Sequence, residues 1–429
     1  MMTKKESHAA SSYRELRDSL YGPLREEGVF TWDTMYGEEY ALPGLVRLEP
    51  GQLTSLRTAA EALGRVYAKT VQIVQQGEEA LLLELGLPEA AIGTIRRRYD
   101  ESVPTLIGRF DFALTPKGPK MLEFNSDTPT GIVEAFYVNG RVCEWYGEED
   151  PNAGCSERLT QAFSRMLQLY RAAGQPVERV VFSALDWHEE DAGTTRYLMR
   201  ASGIPGAEFV PLEELRVDGD LLWAPCTADE GRMQPVDVLY RLHALEKLAY
   251  ERDTDGYPTG EHVLQLIADG RLAIINPPSG FAAQTKALQA LIWSLHEAGE
   301  FFTEEEHAAI AAYMLPTYLE PGFEAGSSYV AKPILGREGS GVTIFEAAGV
   351  SERSEEEEYR DQPMVYQQYA ELPEIEVETA NGPFRGRLLW GCFLIDGQAS
   401  AVVARVGGKI TSNMSYYLPS AVRGRVIDS

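Results

Sequence analysis

Apolar residues recur at helical spacing across residues 53–76, with Arg, Glu and Lys between them, which predicts a long amphipathic helix. Residues 78–87 extend the pattern, and 13–100 as a whole read as helical scaffold without chemistry. The character changes at Leu106. Residues 107–114 predict a strand, Thr115-Pro116-Lys117-Gly118 a turn, and residues 120–124 a second strand. Residues 132–139 then read as the start of a helix or an ordered loop. An amphipathic helix over 156–173, a short apolar strand over 180–182, a helix over 193–201 and an alternating stretch from Glu208 suggest an α/β unit. Strands are expected over 236–240 and 272–275. The second runs into Asn276-Pro277-Pro278-Ser279-Gly280, a loop by composition, followed by a helix over 286–296. Residues 329–335 and 342–345 predict two strands about a glycine-rich turn. An acidic run over 351–358 reads as a solvated loop or helix face. Strands over 364–369, 386–395 and 399–405 complete a mixed α/β chain.

Composition narrows the function classes. The 429 residues are 44% hydrophobic and 24% charged, enough for two or three domains with cores of their own. The net charge of −26 makes nucleic acid a poor partner. It suits a cationic small molecule, although solubility alone also accounts for it. Cys143, Cys155, Cys226 and Cys392 form no Cys-x-x-Cys pair, which disfavours zinc and disulfides and leaves buried thiols as the expectation. The polar first 13 residues lack the apolar core of a signal peptide, and no apolar run approaches the roughly 18 residues of a membrane span. A cytoplasmic location away from membranes is the expectation.

The sharpest constellation is Arg109-Phe110-Asp111 followed by Glu123-Phe124-Asn125. Residues two apart in a strand share a face, so a hairpin would converge four polar side chains and send both phenylalanines to the other side. Two acids and an amide oxygen are hard ligands of the kind Mg²⁺ takes beside nucleotide phosphates. An arginine among them can stabilise developing negative charge. An exposed hairpin face with an Arg–Asp pair fits the same pattern equally well.

Other segments carry weaker signals. The polar loop from Ser126 to Gly131 includes Thr128 and Thr130, and can hold a carboxylate or simply turn the chain. Lys332 ends a strand before Gly336-Arg337-Glu338-Gly339-Ser340-Gly341, a turn able to close over phosphates with its backbone N–H groups. It matches neither a P-loop nor a dinucleotide fingerprint, because no Gly-Lys-Ser/Thr closes it and a strand follows it. A plain hairpin turn remains open. Tyr366-Gln367-Gln368-Tyr369-Ala370-Glu371 reads as a strand entering a hinge, which in nucleotide sites can bind adenine through backbone groups. Glu189, Glu190 and Asp191 precede a helix, where they can cap it or hold a cationic amine. The six histidines show no ligand spacing.

Taken together these residues resemble the synthetase domain of the glutathionylspermidine synthase family. The likeness rests on Arg109-Phe110-Asp111 and on the run from Leu122 through Glu123, Phe124, Asn125, Ser126 and Asp127 to Thr128. It also rests on Gln284-Thr285-Lys286, Lys332-Pro333, Gly336 to Ser340 and Tyr366-Gln367-Gln368, and covers the chain from about residue 13 onward. The resemblance implies an ATP-grasp fold in permuted order, with the Glu-x-Asn motif ahead of both lysines. Residues 1–12 are expected to be a disordered N-terminus on composition, and the resemblance implies that 13–105 are a helical part. Residues 106–280 would be the metal- and substrate-binding part with a pre-ATP-grasp α/β unit, and 281–429 the nucleotide-binding part with a glycine lid.

By the same resemblance Asp111, Glu123 and Asn125 bind two Mg²⁺ ions, and Lys286 and Lys332 contact the ATP phosphates. Glu338 and Gly339 belong to the lid, and Gln368, Tyr369, Ala370 and Glu371 frame the adenine. Arg109 is the catalytic group, Thr128 and Thr130 hold the acid, and Arg405 faces the substrate; Glu190 and Asp191 are candidates to meet the amine by their place alone. The implied activity is ATP-dependent joining of a carboxylate to an amine through an acyl phosphate, with peptide and polyamine among the implied substrate classes. With no Cys nucleophile region before residue 13, the family's amidase domain is expected to be absent. The aromatic Tyr-Pro-Trp-Glu run of relatives reads Leu242-His243-Ala244-Leu245-Glu246 here, so the substrate pocket is expected to differ. A catalytically silent nucleotide-binding regulator, or a polyamine- or peptide-binding module, are the competing expectations.

Overall fold

The computed structural model describes residues 4–347, 349–356 and 358–423, with side chains from Ser12 onward. Its centre is an antiparallel sheet in the order Tyr416–Leu418, Gln398–Gly407, Gly382–Ile395, Ile107–Thr115, Gly118–Asn125. The 14-residue strand Gly382–Ile395 joins two neighbourhoods. Its first half pairs with Glu374–Thr379, and its second half with residues 107–112.

The alternation read in the hairpin is realised. Arg109 lies opposite Asn125, Phe110 opposite Phe124 and Asp111 opposite Glu123, before a bulge ends this register at Phe112. On the apolar face the rings of Phe110 and Phe124 stack at 3.8 Å, and Tyr67 meets them edge-on at 5.6 and 5.0 Å. Tyr67 belongs to the helix Pro50–Gln76, whose Leu56, Leu63, Tyr67, Val71 and Val74 form the buried stripe predicted from spacing. Gly64 lets this helix approach the sheet: a Cβ there would sit 2.8 Å from the Leu394 side chain. One sheet face is thereby committed to the core and the other left for polar groups.

Beside it stands a parallel sheet in the order Ala273–Ile275, Val238–Leu242, Val180–Ala184, Glu208–Phe209. Its three long strands are buried throughout, as expected of a parallel sheet covered on both faces. The helices Ser156–Ala172 and Glu189–Ala201 complete the α/β unit. A third, antiparallel sheet runs Thr317–Tyr318, Met364–Gln368, Tyr329–Pro333, Thr343–Glu346, Gly349–Arg353. It carries the glycine-rich turn and is flanked by the helix Lys286–Ala298, while the helix Glu304–Tyr313 packs on the helix Pro50–Gln76 and the strand Gly118–Asn125.

Several local expectations change. Asn276 to Gly280 is not a loop throughout: Pro278 opens the helix Pro278–Gln284, a first-turn position where its missing N–H carries no penalty. The acidic run begins inside the strand Gly349–Arg353 and continues as the expected loop over 354–356, its residue 357 lying outside the described residues. Residues 134–138 form a π-helical turn leading into the helix Asn139–Tyr146. The helix Lys4–Glu26 takes in most of the segment expected to be disordered, where lysine, glutamate and alanine favour helix; residues 1–3 lie outside the description. All four cysteines are free and buried. Among the described residues no helix is long and apolar enough to cross a membrane.

Candidate active site

The polar face of the hairpin forms the floor of a cavity. Arg109 donates to Asp111 through two nitrogens, at 2.6 and 2.9 Å, and to the Thr130 carbonyl at 2.6 Å. Both members of this pair are buried. The Asn125 amide nitrogen lies between the two carboxylates, 3.2 Å from Asp111 and 3.4 Å from Glu123. The hairpin therefore holds its acids close together and supplies the cation that makes this tolerable.

Two lysines arrive from the far half of the chain. Lys286 is set in the first turn of the helix Lys286–Ala298, capped by the Thr285 hydroxyl. Its Nζ donates to the Gly336 carbonyl at 2.6 Å and lies 3.2 Å from a Glu123 oxygen. Lys332, on the strand Tyr329–Pro333, donates to Gln367 at 2.7 Å and to the Leu122 carbonyl at 3.2 Å. Burial pushes the Glu123 carboxyl up, but Lys286, Lys332 and Arg109 together outweigh it and hold it at about 2. Burial lowers Lys332 to about 8, with Glu123 opposing and Lys286 assisting the fall. Lys332 is thus a cation crowded by Lys286, and an added anion relieves it.

The glycine turn closes one side. Gly339 has φ +76°, and a Cβ there would sit 2.3 Å from the Thr411 carbonyl oxygen, so this contact requires glycine. Glu338 takes the left-handed conformation without being glycine, at φ 53°. Opposite the turn, the loop after Glu123-Phe124-Asn125 is pinned from below. The Gln284 side-chain oxygen accepts from the Ser126 and Asp127 amides at 2.8 and 3.1 Å. Arg241 grips Asp127 with two nitrogens at 3.1 and 2.6 Å, both side chains being buried. Asp127 is a brace, and Thr128 and Thr130 sit on the loop it braces.

On the remaining wall Glu190 has further acids beside it. His188, not an acid, caps the helix Glu189–Ala201, its side chain accepting from the Asp191 amide at 3.3 Å. Glu190 and Glu134 are both buried. Burial, and then the charges of Glu134 and Asp191, push Glu190 up to about 8 against the opposing Arg405. Asp191 rises to about 6, through burial and Glu338, with His188 opposing. Glu134 is also raised by burial, although Trp32 and Tyr40 donate to one of its oxygens at 2.9 and 3.1 Å. Among the described residues its other oxygen has no hydrogen-bond partner.

One cavity gathers most of the residues singled out from sequence. Arg109, Asp111, Glu123, Asn125, Lys286 and Lys332 line it. So do Thr128, Thr130, Glu190 and Arg405, as do Glu338, Gly339, Gln368, Tyr369 and Ala370. Asp191 and Glu371 do not. Glu371 instead lies beside Arg387 at 3.2 Å, on the outer side of the hinge. Tyr40, Arg337, Gln367 and Lys409 line the cavity without having been assigned a role. Arg337 and Gln367 stood inside quoted motifs. Tyr40 lies in the segment read as scaffold, and Lys409 follows two glycines in a second short turn.

Known proteins give this geometry a context. The family model for the glutathionylspermidine synthase pre-ATP-grasp region matches residues 15–423. A Haemophilus influenzae protein provisionally named as an acid–amine ligase is 28% identical over 297 residues, 66% of this chain and 67% of that one. The glutathionylspermidine synthase of Crithidia fasciculata is 24% identical over 337 residues, 72% of this chain but only 44% of that protein's length. A glutathione synthetase-like effector from Globodera pallida superposes with a TM-score of 0.55 over 89% of both chains at 14% identity, which establishes a shared mixed α/β, glutathione synthetase-like fold. The chain belongs to the glutathionylspermidine synthase pre-ATP-grasp family.

Proposed function

We propose that this chain is an ATP-dependent acid–amine ligase of the ATP-grasp type, with its metal motif placed ahead of its phosphate lysines. One observation carries the reading: two paired acids lie directly beneath two crowded lysines and a glycine turn, in one cavity. The names of the relatives support the same reaction class.

The residues fit Mg²⁺. Among the described residues no group of three or more His, Cys, Asp or Glu side chains is placed to hold a metal ion, so an all-protein cage is not available. Mg²⁺ is held instead by one or two carboxylates together with substrate phosphates. Asp111 and Glu123 supply these, and a half-turn of the Asn125 amide brings its oxygen to where its nitrogen now lies between them. Bound MgATP would supply the phosphoryl group that activates the acid, and offset its charge during transfer.

The chain's own groups do the rest. Lys286 and Lys332 hold the phosphates and recover from their mutual repulsion in doing so. Arg109, fixed by Asp111 and the Thr130 carbonyl, keeps a planar donor beside the reacting centre, where the oxyanion formed on amine attack needs it. The Thr128–Thr130 loop receives the acid, and Glu190 with its acidic neighbours receives the amine as a cation. The glycine turn excludes water, which would otherwise hydrolyse the acyl phosphate. Gln368, Tyr369 and Ala370 border the adenine. The test is ADP release by purified protein with Mg²⁺ and ATP against paired acids (amino acids, small peptides) and amines (polyamines among them). ADP that forms only with both partners, matched by an amide product in mass spectrometry, supports the reading. MgATP that neither binds nor turns over under any pairing rejects it.

A further inference from the structure

Arg337 stands in the glycine turn but reaches away from it. Its Nε lies 2.6 Å from Glu246 Oε1 and its Nη2 3.4 Å from Oε2, while Nη1 is 2.8 Å from the Thr128 hydroxyl oxygen. Glu246 is buried on the short helix Leu245–Leu248 of the α/β unit, immediately after the Arg241 strand. One guanidinium therefore ties its own turn to two parts of the molecule, 91 and 209 residues away from it in sequence. The neighbouring Lys247 adds a second tie, at 3.2 Å from Glu358, beside the same sheet.

The chemistry of the Thr128 contact has a direction. Arginine can only donate, so Thr128 must accept, and its own hydroxyl proton remains to be donated elsewhere. Among the described residues no protein group takes that proton, and Thr128 lines the cavity. The loop beneath cannot drift to another partner, because Asp127 is held by Arg241 and by the Leu245 amide at 3.1 Å. Leu245 and Glu246 are adjacent, so the brace of the substrate loop and the anchor of Arg337 belong to one short helix.

We propose that Arg337 is a positioning residue that latches the glycine turn to the substrate loop through Glu246 and Thr128. In this arrangement closing of the turn and orientation of the Thr128 hydroxyl toward an incoming acceptor are one event. The preference this creates for an acid's carboxylate rests on the ligase reading above, whereas the latch itself does not.

Hydrogen exchange in the ligand-free protein tests the latch directly. The amides of Gly336, Ser340, Gly341 and Val342 are all hydrogen-bonded in or around the turn, so their exchange reports its opening. Arg337→Ala and Glu246→Gln should each speed these amides by about tenfold or more, and Thr128→Val by about threefold, as local openings of coupled contacts do. The exchanged pair Arg337→Glu with Glu246→Arg should bring the rate back toward wild type. Amides of the strand Val180–Ala184 should not change in any variant, which separates a latch from general loosening. Turn amides within about twofold of wild type in both Arg337→Ala and Glu246→Gln would overturn the latch. A silent Thr128→Val beside a responsive Glu246→Gln would overturn its link to the substrate loop. Adding MgAMP-PNP to wild type tests the other claim separately: no slowing of the turn amides counts against the nucleotide reading and leaves the latch standing.

Discussion

Glu123 and Glu190 line the same cavity, and the fold treats them in opposite ways. Burial raises the carboxyl of each. Around Glu123 two lysines and an arginine outweigh it and leave a permanent anion at about 2. Around Glu190 the nearest charges are two more acids, and the carboxyl is pushed to about 8. The first is complete as an electrostatic unit and suited to metal and phosphate chemistry. The second has Arg405 opposing it but is dominated by its acidic neighbours, and is suited to accept a further cation. Neighbouring charge, not burial or residue type, makes the distinction.

The largest expected effect falls on the paired wall. Glu123→Gln should abolish ATP turnover while leaving the circular-dichroism spectrum unchanged, because it removes an anion from between two lysines. Unchanged ADP release at saturating Mg²⁺ would take Glu123 out of the reaction. Arg109→Lys comes next. It keeps the charge but loses the planar fork, and should cost roughly 2.7–4 kcal/mol in turnover if Arg109 acts as an oxyanion donor. MgATP titration of the same preparation should show nearly wild-type affinity; a parallel collapse would assign Arg109 to the nucleotide instead.

Lys332→Ala should weaken MgATP binding by on the order of 1–3 kcal/mol, read by calorimetry, the scale of one charge-assisted contact. Equal affinities would contradict the assignment. The smallest effect belongs to the acidic wall and appears in stability rather than activity. A carboxyl raised from its usual range to about 8 binds a proton in the folded state that the unfolded chain has already lost. Folded stability from this group is therefore present at low pH and declines as pH rises from about 4.5 to about 8. Glu190→Gln should flatten that decline, so that its melting temperature exceeds wild type most at pH 8–9 and least near pH 5. Parallel melting curves for the two proteins across this range would show that Glu190 carries no such penalty.

Legibility in the sequence followed the range of the forces involved. The hairpin was readable because alternation in a strand is a local rule, and Arg109, Asp111, Glu123 and Asn125 emerged on one face as that rule requires. The long helix was readable for the same reason at a different period. Pro278 misled because proline reads equally as a loop and as a helix start, and the close approach of Gly280, whose notional Cβ would sit 2.7 Å from the Ser126 carbonyl oxygen, is a tertiary contact that local pattern does not reveal. The cap at His188 was hidden by three acids that statistics favour for that end of a helix.

By itself, then, the amino-acid order determined the elements, the division of the hairpin into an apolar and a polar face, and the inventory of anions and cations available for a site. It did so because backbone geometry imposes short periods on side-chain direction. Only the tertiary structure decided which charges meet. Glu123 finds Lys286 163 positions away by their numbering, Asp127 is held by Arg241, and Glu246 receives Arg337, while Glu190 is left among acids. Those pairings follow from how three sheets pack, and a charge pair buried in that packing depends on distance in space, to which separation along the chain is no guide.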